Sequence, residues 1–258
     1  MQILSKKISW KSSSIITQLV FVIEFYKYPS VSHLVWLGTS EPRDDKLLFP
    51  ADSQHLLAAE VIVEEKLDGA NLGISLDEKG ELLTQNRGEY VHQPFVGQFA
   101  QLTNWLVQHE IQLKNVLTPD LILFGEWCVA RHSLNYSALP DWFLLFDVYQ
   151  RSQQAFWSVQ RRNQLAAVSG LHTVPQVVSG CFSIEELKGL VNSQLSDCRF
   201  GQMEGIVIRR DSADWCEQHA KLVRADFVQN IDKHWSRRPL EWNRVDWEKN
   251  QRLLKSTR

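Results

Sequence analysis

The run Val61-Ile62-Val63-Glu64-Glu65-Lys66-Leu67-Asp68-Gly69-Ala70-Asn71 ends a β-branched, apolar stretch on an amine and leads at once into Asp-Gly. A strand that stops there delivers Lys66 to the mouth of a turn, a useful place for a nucleophile. An amine attacks phosphorus only when unprotonated, and lysine's reference pKa is about 10.4. A nucleophilic Lys66 is therefore expected to need burial or nearby cations to lower that value. Lys-x-Asp-Gly is a short pattern, and alone it reads equally well as a solvated lysine beside a hairpin turn.

Downstream residues separate the two readings. Arg87, in Gln85-Asn86-Arg87-Gly88, carries a planar fork suited to ribose and phosphate oxygens, although loop arginines are usually just solvated. Glu126 closes Leu123-Phe124-Gly125-Glu126, where a strand-edge carboxylate can accept ribose hydroxyls or a neighbouring backbone amide. Glu204 opens Glu204-Gly205-Ile206-Val207-Ile208, an acid at the start of a buried strand. Such acids are paired or metal-bound, and the metal reading here is Mg2+ held against phosphates. Phe146 lies in the apolar run Phe143-Leu144-Leu145-Phe146-Asp147-Val148, so core packing is its default. Lys221 begins Lys221-Leu222-Val223-Arg224, and the second cation, Arg224, follows three residues later. Arg131 and His132 read as surface polar residues.

In that order and at roughly that spacing, these groups resemble the nucleotidyltransferase motifs of the covalent ligase and capping-enzyme superfamily. The Lys-x-Asp-Gly-x-Asn form, closed by Asn71, is similar to the ATP-dependent RNA ligases of the second phage type and their bacterial relatives. The resemblance runs from about Lys27 to about Arg244. It implies that Lys66 attacks the α-phosphorus of ATP with Mg2+ present, and that a lysyl-AMP then adenylylates an RNA 5′-phosphate end for sealing to a 3′-hydroxyl. It also implies a nucleotide site of Glu65, Lys66, Asn71, Arg87, Glu126, Phe146, Lys221 and Arg224, in which Phe146 stacks on the purine. Glu204 is the metal residue, and Lys221 joins Lys66 in catalysis by neutralising charge and lowering the lysine pKa. The family commonly has a second lysine two residues after the first; Val223 stands there instead, which leaves Arg224 without a fixed role.

The elements that must position these groups follow from periodicity. Strands are expected over Val61–Lys66, Leu121–Trp127, Trp142–Tyr149, Gly205–Arg209 and Ala220–Val223, with a hairpin of 72–76 and 81–84 around Asp77-Glu78-Lys79-Gly80. Helices are expected over Phe95–Leu117 and Trp157–Val168, and over Ser183–Asn192 behind a capping box. A further helix should run from Phe227 to Pro239, with a short one after it. The fold class is α+β: a nucleotidyltransferase (ATP-grasp-like ligase adenylation) domain of antiparallel sheets flanked by helices. Three regions result: 1–26, an extension of uncertain status; 27–225, the adenylation domain; and 226–258, a small basic helical appendage.

The chain of 258 residues has a net charge of −2, which announces no nucleic-acid partner. Its distribution says more: from Lys221 to Arg258 there are ten Lys and Arg against five Asp and Glu, on an otherwise acidic body. A basic tail suits a phosphate backbone, and is expected to serve strand joining rather than the first nucleotidyl step. The four cysteines are scattered without a Cys-x-x-Cys pair, consistent with reduced thiols in the cytoplasm. The apolar run 15–23 is too interrupted for a signal peptide and too short to span a bilayer. RNA ends, in a nicked duplex or free, are the expected partners, with no membrane; the oligomeric state is open. A minimal DNA ligase or a capping-type guanylyltransferase is the alternative, although both usually add a barrel and only 34 residues follow Arg224. A non-catalytic RNA-binding protein is the further alternative.

Overall fold

The structure, a computed structural model, describes residues 24–38, 46–229 and 239–249. The apolar run 15–23 lies outside the described residues.

β1 (Val61–Lys66) begins the sheet that carries Lys66, whose strand order is β10-β9-β1-β8, with β8 at Gln176–Gly180, β9 at Gly205–Asp211 and β10 at Cys216–Val223. Val61, Val63, Ile206, Ile208, Ala220 and Leu222 pack from this sheet against Leu56 of α1 (Pro50–Leu57) and Leu187 and Val191 of α4 (Ile184–Ser193). Both halves of the predicted capping box at Ser183 and Glu186 are formed.

The second sheet has the order β3-β2-β4-β5-β6, built from β2 (Ala70–Leu76), β3 (Leu82–Gln85), β4 (Leu121–Trp127), β5 (Phe143–Gln150) and β6 (Ala155–Phe156). The short β7 (His172–Thr173) joins β5 in parallel; every other ladder is antiparallel. Leu72, Ile74, Leu123, Trp127, Phe143 and Leu145 bury one face of this sheet. They pack with Leu102, Trp105 and Leu113 of α2 (Leu102–Val116) and Leu165 and Ala166 of α3 (Val159–Ser169). The antiparallel α+β expectation therefore holds. The predicted helix at 95–117 is interrupted: a single 3-10 turn occupies Gly97–Phe99, and Gly97 has φ +59°, a left-handed value that glycine tolerates and a helix does not.

Of the appendage expected to be helical, α5 covers Ala225–Gln229 and residues 247–249 are helical, whereas residues 239–246 are irregular chain lying on the body, with single bridges pairing Trp242 with Ala130 and Val245 with Leu139. Residues 230–238 and 250–258 lie outside the described residues.

Four buried charges tie the two sheets together. Arg162 of α3 grips Glu64 of β1 through both carboxylate oxygens, at 2.5 and 3.1 Å. Arg209 of β9 bonds Asp147 of β5 at 2.6 Å, and Tyr28 donates to the other Asp147 oxygen at 2.5 Å. Removing one member strands a partner charge in the interior. Arg162→Ala should accordingly lower the unfolding free energy by about 3–5 kcal/mol, read from the urea midpoint. A loss under about 1 kcal/mol would mean that the network is dispensable.

Candidate active site

Leu67, Asp68 and Gly69 carry the chain from the end of β1 in one sheet to the start of β2 in the other. Lys66 thus stands at a sheet-to-sheet crossover, and the turn there is held at three points. The Asp68 amide donates to the Tyr136 hydroxyl at 2.8 Å, and the Gly69 amide donates to Glu126 Oε1 at 2.8 Å. Asp68 Oδ2 in turn accepts the Ser133 and Leu134 amides at 2.7 and 2.8 Å. Glycine is required at 69, because a Cβ there would sit 2.7 Å from the Trp127 carbonyl oxygen. Gly125 is similarly constrained: a Cβ would fall 2.3 Å from the Phe143 ring, beside the β-bulge that sets Glu126.

Over this crossover opens a cavity of about 370 Å³. It is lined by Glu65, Lys66, Asn71, Arg87, Glu126, Phe146 and Lys221, all expected from the sequence, together with Tyr28, Glu64, Asp147 and Arg209, which were not. Asn71 pairs with Glu126 across the β2–β4 ladder, and its Oδ1 is buried without a hydrogen-bond partner. Phe146 lies edge-on to Tyr28, with ring centroids 5.2 Å apart. Arg87 donates to the Ser30 hydroxyl at 2.5 Å. Lys221 is placed by β10, where it pairs with Val207, and its amide donates to the Ser32 carbonyl at 2.9 Å. The Glu65 carboxylate is engaged by Ser196 Oγ at 2.5 Å and by the Asp197 amide at 3.0 Å. Glu65 therefore lines the cavity with its carboxylate committed elsewhere. Arg224 is not brought to the cavity; its guanidinium pairs with Asp226 and donates to the Met203 carbonyl.

Glu204 reaches the site through Lys66. Lys66 Nζ lies 2.6 Å from Glu204 Oε1, with 27% of the lysine side chain exposed, so an incoming reactant can touch it. Burial acts to lower the Lys66 pKa, but Glu204, Glu126 and Asp68 outweigh it and hold the amine above the ordinary lysine value. This corrects the expectation of a depressed amine: three nearby acids, rather than cations, govern Lys66. Burial pushes Glu126 up to about 7 and Glu204 up to about 8, each against the pull of Lys66. Glu204 Oε2 is buried and unpartnered. No group of three or more His, Cys, Asp or Glu forms a ready metal cage among the described residues. One acid with a spare oxygen nevertheless fits a magnesium ion, which keeps its waters and takes further ligands from substrate phosphates.

The cavity residues that sequence reasoning missed had faint signals. Arg209 is a cation inside an apolar strand, which requires buried acids, and Asp147 follows Phe146 directly. Tyr28 gave no local signal. Arg131 pairs with Glu241, and His132 is buried against Gln98, so only Arg131 fits the surface reading. The four cysteines are free thiols, and among the described residues no helix is long and apolar enough to cross a membrane.

Two antiparallel sheets meeting over a lysine-floored cavity define the nucleotidyltransferase architecture. Solved structures of a Naegleria gruberi RNA ligase share the fold. A Glu-to-Ala variant with ATP and Mn is 14% identical with a TM-score of 0.57, over 81% of this chain and 59% of that one. The same enzyme with PPi is 17% identical with a TM-score of 0.56, over 81% and 64%. A Lys-to-Met variant with AMP and Mn is 14% identical at 0.54, over 81% and 65%. The chain thus spans 59% of the first of these proteins. No curated protein matches by sequence. The RNA ligase family model covers residues 59–223, and the chain belongs to that family.

Proposed function

We propose that the chain is an ATP-dependent RNA ligase that seals 5′-phosphate and 3′-hydroxyl ends through a lysyl-AMP intermediate. The observation that carries this reading is the half-buried Lys66 amine in the cavity, 2.6 Å from an acid whose ionised form can take its proton. Lys66 loses that proton and its nitrogen bonds the α-phosphorus of ATP, while the bond to the β-phosphate oxygen breaks and pyrophosphate leaves. The ionised form of Glu204 lies within hydrogen-bond reach of the proton. An RNA 5′-phosphate oxygen next attacks the same phosphorus, and the nitrogen leaves as the amine. The 3′-hydroxyl finally attacks the 5′-phosphorus and AMP departs.

Phe146 offers a face to the purine, worth about 1–3 kcal/mol if stacked. Glu126 would accept ribose hydroxyls, and Arg87, Lys221 and Asn71 would bind phosphate. Mg2+, held by Glu204, would supply charge neutralisation at the phosphates. The Naegleria gruberi structures with ATP or AMP and Mn support this choice of nucleotide and divalent ion.

Incubation with α-labelled ATP, GTP or NAD tests the first step. Label from ATP that survives denaturation and alkali but is released by acid, as a phosphoramidate is, is expected; label from GTP would favour a capping enzyme, and none at all a binding protein. RNA rather than DNA is supported by Asn71 in Lys-x-Asp-Gly-x-Asn and by the family match. Nicked duplexes with preadenylylated 5′ ends should be sealed faster when the last two nucleotides on the 3′-hydroxyl side carry ribose. The preference should be about tenfold or more, because sites that bond a hydroxyl discriminate strongly against its absence. Equal single-turnover rates would favour a minimal DNA ligase.

A further inference from the structure

The segment 241–246 runs beneath the loop that holds the Lys66 turn. Its Asn243 is 3% exposed and uses its whole amide. Nδ2 donates to the Cys128 and Ala130 carbonyls at 2.8 and 3.3 Å, while Oδ1 accepts the Tyr136 amide at 2.8 Å. Backbone bonds flank it on both sides. The Asn243 amide donates to the Val129 carbonyl at 3.0 Å, and the Arg244 amide to the Tyr136 carbonyl at 2.9 Å. Tyr136 is therefore gripped at its backbone N–H by the Asn243 side chain and at its C=O by the next residue's amide.

Tyr136 is fully buried, and its hydroxyl accepts the Asp68 amide at the other end of the ring. Asp68 returns two bonds to Ser133 and Leu134 of the same loop. The path from the tail to the residue two places after the nucleophile consists of one asparagine, one rigid phenol ring and two hydrogen bonds. We propose that Asn243 is a positioning residue for Lys66, acting through Tyr136 to fix the Asp68–Gly69 turn on which the amine is presented. This rests on the ligase reading above, and it gives the C-terminal segment a part in the first nucleotidyl step, where the sequence suggested only a grip on RNA.

A ring that fixes one turn amide leaves the nucleotide's own contacts in place, so the loss should fall on rate and spare ATP affinity. Tyr136→Phe removes only the hydroxyl oxygen and keeps the packing; Asn243→Ala removes the grip on Tyr136. Each should slow single-turnover labelling of Lys66 at saturating ATP by about tenfold or more with ATP Kd unchanged, since small misplacements cost that much. The double variant should be no slower than the slower single one, because both cut one path. Amide hydrogen exchange supplies a readout independent of activity. Exchange at Asp68 should quicken in Asn243→Ala, while the β1–β9 ladder amides stay protected. Wild-type labelling and wild-type Asp68 exchange in a folded Asn243→Ala would overturn the proposal, as would effects that multiply in the double variant. If the wild-type protein takes no label, the ligase reading fails, and Asp68 exchange alone decides this one.

Discussion

Lys66→Ala should abolish the covalent, acid-labile nucleotide label on the protein while leaving it folded. The side chain's one close partner is Glu204, whose buried carboxyl, already pushed up to about 8, accepts a proton once the ammonium is gone. Removing the amine therefore costs little packing and no stranded charge at neutral pH. Lys66→Arg should fail as completely, because guanidinium keeps its proton and cannot attack. Labelling of either variant at the wild-type rate would move the nucleophile elsewhere.

Glu204→Gln should show the next largest effect, a fall of about 10²–10³ in the labelling rate, or 2.7–4 kcal/mol in the barrier. Lost activity that merely tracks a lower Tm would make Glu204 a structural residue. The pH dependence of stability carries an independent sign. Glu204 titrates at 4.5 in the unfolded chain and at about 8 when folded, because burial penalises the carboxylate. Between those values the folded state holds a proton that the unfolded chain has released, so stability falls as pH rises. Lys66 bears on the alkaline side: its raised value supports the fold up to the ordinary lysine range and loses that support above it. Glu204→Gln removes the acid and should flatten the decline in Tm between about pH 4.5 and 8. An unchanged slope would assign the decline to other groups.

Local chemistry explains what was legible beforehand. Val61-Ile62-Val63 could be little but a strand, and β4 spans Leu121–Trp127 as expected, because apolar runs bounded by turn residues announce themselves. Cavity residues carried by such strands, Lys66, Glu126 and Phe146 among them, could be anticipated from order and spacing. What could not be read were long-range partners. Glu64 and Glu65 look alike in sequence, yet one binds two arginines between the sheets and the other binds Ser196. Asn243 lies between Pro239 and the helical residues 247–249, and nothing local announced its bonds to Cys128, Ala130 and Tyr136. The Lys66 pKa was misjudged because Glu126 and Glu204 are distant in sequence and adjacent in space.

Lys66, Glu204 and Lys221 belong to the first sheet and its margin, whereas Asn71, Glu126 and Phe146 belong to the second. On the proposed roles, Lys66 and Glu204 thus sit on one scaffold and the ribose and base contacts of Glu126 and Phe146 on the other, joined by the crossover turn and a buried ionic rivet. Substitutions in the second sheet can redraw which base or sugar is admitted while the reacting atoms keep their spacing. Such a division lets one chemistry be re-addressed to new nucleotides by drift in half of the molecule.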